Sequence, residues 1–223
     1  MADVAEVCTI DAYGPPYRIH DPGGRIGSKV SHGEPYERKL LVDIQQQNLT
    51  GTAVDVGAHV GNHALFLAAI CGLRVLAFEC HAETVERLLE NVALNPDLDI
   101  EVHDVALGSE KGSGRLTGGR WVEFDPSRPD KGVLVAGSDV EVRCFDDEFD
   151  LDDLAVVKVD VEGTEPAVLA GMADHLERCS PVVYAECHDD DAKAAVDAVL
   201  APLGYAITRH LHMGSRMVRW ERR

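Results

Sequence analysis

Short apolar runs alternate with amphipathic stretches along most of the chain from residue 52 onward. In the stretch 82–94, Val85, Leu88, Leu89 and Val92 share one helical face at i, i+3, i+4 and i+7 spacing. This alternation predicts an α/β fold with a mostly parallel sheet covered by helices on both faces. The predicted strands are 52–56, 75–78, 100–102, 154–159 and 181–186, and the predicted helices are 35–48, 62–71, 82–94, 164–172 and 189–200.

The two ends of the chain and one internal segment depart from this alternation of strands and helices. Strand-like runs at 205–208 and 216–220 predict an antiparallel pair that closes the sheet. Residues 1–34 are rich in Gly and Pro, and we interpret them as an N-terminal extension of loops and a hairpin. Gly- and Pro-rich stretches at about 109–145 predict a β or flap insertion. The main domain is therefore expected to cover 35–223.

Composition fits one globular domain and excludes several partners. Hydrophobic residues make up 45% of the 223 residues, and the longest apolar run, 64–71, is far shorter than the roughly 20 residues that span a bilayer. The formal net charge of -18 repels polyphosphates, and only 5% of residues are aromatic and able to stack on bases. The first residues do not resemble a signal peptide. We expect a soluble, cytoplasmic protein that binds neither membranes nor nucleic acid.

The first candidate site follows the predicted strand 52–56, in the segment Val-Asp-Val-Gly-Ala-His-Val-Gly-Asn. A dinucleotide site requires Gly-x-Gly-x-x-Gly, but His59 occupies the middle position, and the Gly-Lys-Ser/Thr of a P-loop is absent. The segment resembles motif I of S-adenosylmethionine-dependent methyltransferases, with a plain βα turn as the alternative. The cofactor-binding residues implied here are Asp55, Gly57, Ala58, His59, Gly61 and Asn62.

Glu79 ends the second predicted strand. A carboxylate at that position can accept hydrogen bonds from two vicinal ribose hydroxyls, and its charge rejects a 2′-phosphate. The alternative is a solvated glutamate at a strand end. Glu79 is therefore a candidate for binding the cofactor ribose.

The segment Val-Lys-Val-Asp-Val-Glu-Gly-Thr-Glu at 157–165 closely resembles the Lys-Ile-Asp-Val-Glu-Gly-x-Glu signature of the FkbM methyltransferase family. The segments 105–108 and 184–188 resemble two further parts of that family, in the family's order. The resemblance covers about residues 35–190. It implies a Rossmann-like class I methyltransferase, with a mostly parallel seven-stranded sheet, helices on both faces and an antiparallel closing strand.

The resemblance also implies a function. Members use S-adenosylmethionine, most often to methylate a hydroxyl of a small molecule or a sugar-containing metabolite. Asp104 and Val105 stand where the family contacts adenine, although the family more often has Asn at the position of Asp104. The expected partner is a small-molecule acceptor, and a homodimer stays open.

Asp160, Glu186 and His188 form the best candidate acid–base cluster. Glu186 and His188 are two residues apart on an extended segment and so share a face, at a strand end next to that of Asp160. An alcohol loses a proton as it attacks the sulfonium methyl, so a nearby base helps. The alternative is that these groups hydrogen-bond loop backbone.

The same three residues could instead hold a divalent ion. We favour a metal-free base, because the single nitrogen ligand lies two residues from a carboxylate that orients it. Glu162 and Glu165 are ambiguous. Glu162 could bridge to Lys158 or cap a loop, and Glu165 stands in the first turn of a helix, where an acid is favoured.

Two other functions remain open. A noncatalytic, cofactor-binding interaction protein would keep the fold without the activity, but the intact cofactor and acid residues argue against it. N-methylation is the weaker alternative. The segment Gly-Pro-Pro-Tyr at 14–17 resembles an amino-methyltransferase motif, but Gly14 replaces the polar residue that this chemistry needs.

Overall fold

The computed structural model describes residues 6–114, 116–117, 120–121, 140–212 and 216–223. The strands in these ranges are β1 (Val7–Ile10), β2 (Tyr17–His20), β3 (Thr52–Val56), β4 (Arg74–Glu79), β5 (Ile100–Asp104), β6 (Ala106–Leu107), β7 (Gly112–Gly114), β8 (Leu116–Thr117), β9 (Arg120–Trp121), β10 (Val140–Arg143), β11 (Leu154–Val159), β12 (Val182–Glu186), β13 (Tyr205–His212) and β14 (Arg216–Arg222). The helices are α1 (Gly24–Val30), α2 (Arg38–Gln46), α3 (Asn62–Ala69), α4 (Ala82–Ala93), α5 (Phe145–Glu148), α6 (Glu165–Ala170), α7 (Ala173–Cys179) and α8 (Asp190–Leu200), with a 3₁₀ helix at Ala201–Leu203.

A seven-stranded sheet forms the centre of the molecule, in the order β13-β14-β12-β11-β3-β4-β5. The five strands from β12 to β5 are parallel to one another. Strand β14 runs antiparallel to both β12 and β13. The predicted fold class, a mostly parallel seven-stranded sheet with an antiparallel closing strand, is confirmed.

Helices cover both faces of the sheet because its strands are apolar on both sides. Along β3, Val54 and Val56 pack in the core cluster that contains residues of α5, α6, α7 and α8. The intervening Ala53 belongs to the cluster formed with α2, α3 and α4. No helix within the described residues is long and apolar enough to cross a membrane.

The N-terminal hairpin of β1 and β2 packs on the α3 side of the sheet. Its apolar residues Ile10, Tyr17 and Ile19 are buried with Leu65 and Phe66 of α3. Tyr17, the aromatic residue of the Gly-Pro-Pro-Tyr segment, is thus a core residue. Helix α1, which follows the hairpin, was not among the predicted helices.

The observed helices differ from the predicted ones where tertiary contacts decide their ends. The helix predicted at 35–48 begins only after Glu37, whose φ of 55° is left-handed and non-helical. Helix α7 was not predicted, and its first turn is capped from a distance, because the Asp146 carboxylate accepts a hydrogen bond from the backbone N–H of Asp174 at 2.8 Å. Such a cap is invisible in the local sequence.

The described parts of 109–145 form small β-structures beside the main sheet. Strands β6, β10 and β7 make a three-stranded sheet, and β8 pairs with β9. Residues 115, 118–119 and 122–139 of the predicted insertion lie outside the described residues.

One charged pair lies inside the sheet. Asp55 of β3 and Lys158 of β11 are direct register partners on neighbouring strands, and Lys158 Nζ lies 3.0 Å from Asp55 Oδ1. Their side chains are 0% and 2% exposed. Nζ also donates to the carbonyl oxygen of Gly57 at 3.0 Å. Burial alone would lower the pKa of Lys158, but Asp55 and Asp160 outweigh burial and raise it above its usual value. The lysine is therefore charged and ties two strands to the loop after β3.

We expect Lys158→Met to lower the free energy of unfolding by about 3–5 kcal/mol, because it leaves the buried Asp55 carboxylate without its partner. The double variant Lys158→Met/Asp55→Leu should recover most of that loss, since it removes both charges. Urea unfolding of the two single variants and the double variant measures the effect. Additive losses in the double variant would contradict the pairing.

Candidate functional site

A cavity of about 710 Å³ opens at the carboxyl ends of the parallel strands β3, β4 and β11. It is bordered by the loops after these strands, by 105–107 after β5, and by Pro22 to Ile26 of the N-terminal segment. This edge is where ligands of open α/β sheets bind, and the volume is in the range of small-molecule sites.

The loop after β3 forms one wall of the cavity and depends on two left-handed glycines. Gly57 has a φ of 77°, and a Cβ on it would overlap the carbonyl oxygen of Asp160. Gly61 has a φ of 90° and precedes α3, and a Cβ there would lie 2.7 Å from a methyl carbon of Leu88. Both positions therefore require glycine. Between them, burial lowers the pKa of His59, against the opposing charge of Glu79.

Glu79 holds the loops after β3 and β4 together. Its Oε2 accepts from the backbone N–H of His59 at 3.0 Å, and its Oε1 accepts from those of Cys80 and His81 at 2.8 and 2.9 Å. A carboxylate has about four acceptor positions, so these three bonds leave about one position open, on Oε2. Glu79 faces the cavity with this remaining capacity.

The residues expected to bind the cofactor divide into two groups. Asp55 is buried in its ion pair with Lys158, Gly61 caps α3, and Asp104 is exposed at the end of β5, so none of these three borders the cavity. The residues that border it are Gly57, Ala58, His59, Asn62, Glu79 and Val105.

The acid–base residues come together at the ends of β11 and β12, and Glu162 joins them. Glu186 is 7% exposed and its carboxyl is hydrogen-bonded to that of Asp160. His188 Nε2 lies 3.1 Å from Glu162 Oε2 and 3.4 Å from Glu186 Oε2. Burial, followed by the charge of Asp160 and its hydrogen bond, raises the pKa of Glu186 to about 9. Glu186 therefore keeps its proton at neutral pH.

The geometry also bears on the metal alternative. The ligand atoms that lie within 4.8 Å of one another belong to Glu162, Glu186 and His188, whereas the sequence suggested Asp160 in place of Glu162. The second ambiguous residue, Glu165, is buried, and its Oε1 accepts from the backbone N–H groups of Val161 and Gly163 at 3.1 Å each. Glu165 thus shapes the loop that carries Glu162.

Sequence reasoning missed several residues that border the cavity, among them Lys158, Arg25 and Tyr36. Lys158 interrupts an otherwise apolar buried strand, and a charge in that setting signals a buried ion pair. The side chains of Arg25 and Tyr36 are hydrogen-bonded to each other, and both residues come from the N-terminal part of the chain. Tyr36 is fixed by Asn62, whose amide exchanges two hydrogen bonds with the Tyr36 backbone. No sequence signal links these segments.

Glu186 generates a prediction about stability and pH. Its pKa is raised from 4.5 to about 9 on folding, so between these values the unfolded chain releases a proton that the folded protein keeps. Stability therefore falls as pH rises through this window. Glu186→Gln keeps the side-chain size but cannot ionise. We expect its melting temperature to match the parent near pH 4.5 and to exceed it by at least about 3 °C at pH 8.

Thermal unfolding monitored by circular dichroism across this pH range checks the trend. The exposed Glu90, changed to Gln, serves as the matched control and should run parallel to the parent. If the melting temperatures of Glu186→Gln and the parent differed by the same amount at all pH values, the raised pKa of Glu186 would be contradicted.

Two solved structures of methyltransferases share this fold. A methyltransferase FkbM from Methylobacillus flagellatus matches with a TM-score of 0.59 at 19% identity, over 83% of this chain and 46% of that one. A precorrin-6y C5,15-methyltransferase from Geobacter metallireducens matches with a TM-score of 0.52 at 11% identity, over 84% and 90% of the two chains. At these identities the likeness concerns the fold.

Sequence comparison identifies the family. A hexuronic acid methyltransferase, AglP, of Haloferax volcanii is 32% identical over 156 residues, which are 66% of this chain and 59% of that protein. The present chain therefore spans less than two thirds of that relative's length. The model of the methyltransferase FkbM domain matches residues 55–213, from β3, which carries Asp55, to just after the end of β13. The chain belongs to the FkbM methyltransferase family.

Proposed function

We propose that this protein is an S-adenosylmethionine-dependent O-methyltransferase that acts on a hydroxyl of a small, sugar-containing acceptor. The observation that carries the proposal is one cavity bordered by both Glu79 and Asp160, the second of which is hydrogen-bonded to Glu186. The Glu79 carboxylate is suited to binding a ribose, and Asp160 to binding an acceptor whose hydroxyl loses a proton. Family membership supports the choice of methyl donor.

The cavity residues fit the cofactor. The open acceptor position on Glu79 Oε2 suits a ribose hydroxyl. Phe78 and the apolar residues at 105–107 offer a wall for a purine ring. We propose Asp55 and Gly61 as residues that shape the loop, since neither borders the cavity.

The acid cluster handles the proton. When bound, S-adenosylmethionine supplies an electrophilic methyl group on sulfur. Asp160, at the cavity, positions the acceptor so that its hydroxyl oxygen faces that methyl. As the new C–O bond forms and the C–S bond breaks, the hydroxyl proton moves to the imidazole of His188, the general base. Glu186 connects the two residues through its contacts with both.

Two features support an acceptor with a carboxylate. The relative of 32% identity is named a hexuronic acid methyltransferase. In addition, Arg25 borders the cavity and, among the described residues, forms no ion pair with a carboxylate. A guanidinium can bind a carboxylate through two parallel hydrogen bonds. We propose a hexuronate as the acceptor class, with Arg25 as the group that binds its charge.

The cofactor assignment makes one prediction. Glu79→Ala should weaken S-adenosylmethionine binding at least about tenfold, because a charge-assisted hydrogen bond to ribose is lost and the two loops lose their shared acceptor. Isothermal titration calorimetry measures the affinity. Glu83→Ala, on the exposed first turn of α4, is the control and should bind like the parent. Equal binding by Glu79→Ala would remove the assignment.

Transfer of a labelled methyl group tests the function itself. Hexuronate glycosides should be methylated on oxygen in preference to the matched neutral sugars and to amines. Asp160→Asn should lower turnover by about 100-fold or more, with cofactor affinity within about twofold of the parent. Cofactor binding without transfer to any acceptor would favour the noncatalytic alternative, and label on an amine would favour N-methylation.

A further inference from the structure

We propose that Glu162 is a positioning residue that fixes the tautomer of His188, so that the neutral imidazole offers Nδ1 as its basic atom. The use of this atom in methyl transfer rests on the proposed function. The tautomer itself is a property of the chain and can be measured without a substrate.

Two carboxyl oxygens face His188 Nε2, from Glu162 at 3.1 Å and from Glu186 at 3.4 Å. An unprotonated Nε2 would direct its lone pair at these oxygens, whereas an N–H donates to them. The hydrogen of a neutral His188 therefore belongs on Nε2. Glu162 makes the shorter contact, and Glu186 is also hydrogen-bonded to Asp160.

The backbone of Glu162 is left-handed. Its φ of 60° is in the left-handed region, which costs a residue with a Cβ free energy, and Gly163 beside it has a φ of 114°. The buried Glu165 holds this conformation, because its Oε1 accepts from the N–H groups on both sides of Glu162. The held backbone sets the direction of the Cα–Cβ bond of Glu162, and the carboxylate contacts His188 Nε2.

Glu162 borders the cavity, and its carboxylate reaches from the loop after β11 to the segment after β12. It therefore links the loop of Asp160 to the imidazole. When Nδ1 takes the acceptor proton, the resulting imidazolium keeps its Nε2–H bond to Glu162, which stabilises the positive charge. The methyl group then ends on the acceptor oxygen, the proton on Nδ1 and the positive charge on the imidazolium.

Nitrogen NMR of the full chain, labelled with ¹⁵N-histidine, tests the proposal. The signals of His188 are assigned by their loss in His188→Asn, and the spectra are recorded where the imidazole is neutral. The parent should show the Nε2–H tautomer in excess. Glu162→Gln should reduce that excess by about tenfold, the factor that corresponds to one charge-assisted hydrogen bond, because the amide can both donate and accept.

Two controls separate positioning from general disturbance. Glu101 makes a similar contact with His103 Nε2, at 3.4 Å and outside the cavity, so Glu101→Gln should leave the His188 tautomer unchanged. Glu162→Gly should lose the tautomer preference without a lower melting temperature, because glycine adopts the left-handed backbone freely. A purely structural role for Glu162 would instead lower the melting temperature.

Kinetics provide the second readout once an acceptor is known. Glu162→Gln should lower kcat by about tenfold while KM for the cofactor stays within about twofold, since Glu162 acts through His188. An Nδ1–H tautomer in the parent, or an unchanged tautomer in Glu162→Gln, would overturn the proposal. Absence of methyl transfer with the tautomer result as expected would overturn the proposed function and leave this assignment standing.

Discussion

A lysine and an aspartate lie side by side in the interior of the sheet, and the site is built around them. Neither charge is stable in the core alone, so Asp55 and Lys158 must be paired, and their pairing fixes the relation of β3 to β11. The ammonium group also binds the Gly57 carbonyl and lies 3.9 Å from Asp160. One buried cation thus joins the loop beside the proposed cofactor to the loop beside the proposed acceptor.

Crowding of acids is the second constraint on the site. Asp160, Glu162 and Glu186 meet at the ends of two neighbouring strands, next to His188 and the already paired Lys158. Burial makes full ionisation costly, and the raised pKa of Glu186 is the result. Glu186 keeps its proton in this cluster, next to Asp160 and the imidazole of His188. Such an arrangement is suited to moving one proton without a large change of local charge.

The N-terminal segment completes the cavity. Its hairpin is packed on α3, and the two hydrogen bonds between Asn62 and the Tyr36 backbone attach the following residues to the start of the same helix. Arg25 and Tyr36 consequently border the same cavity as Asp160. The part of the chain outside the family match therefore supplies the proposed specificity of the site, while the matched part supplies the cofactor wall and the acid cluster.

The sequence by itself determined the fold class, because the alternation of apolar runs and helical faces leaves one arrangement that buries both sides of a parallel sheet. It also indicated the strand ends where Gly57, Glu79 and Asp160 stand. Only the tertiary structure decided what these groups touch. The cap of α7, the partner of Lys158 and the approach of Glu162 to His188 join residues that are distant in sequence or turned by a left-handed backbone. Periodicity reports which face of an element is buried, but contacts between loops depend on packing and charge in three dimensions.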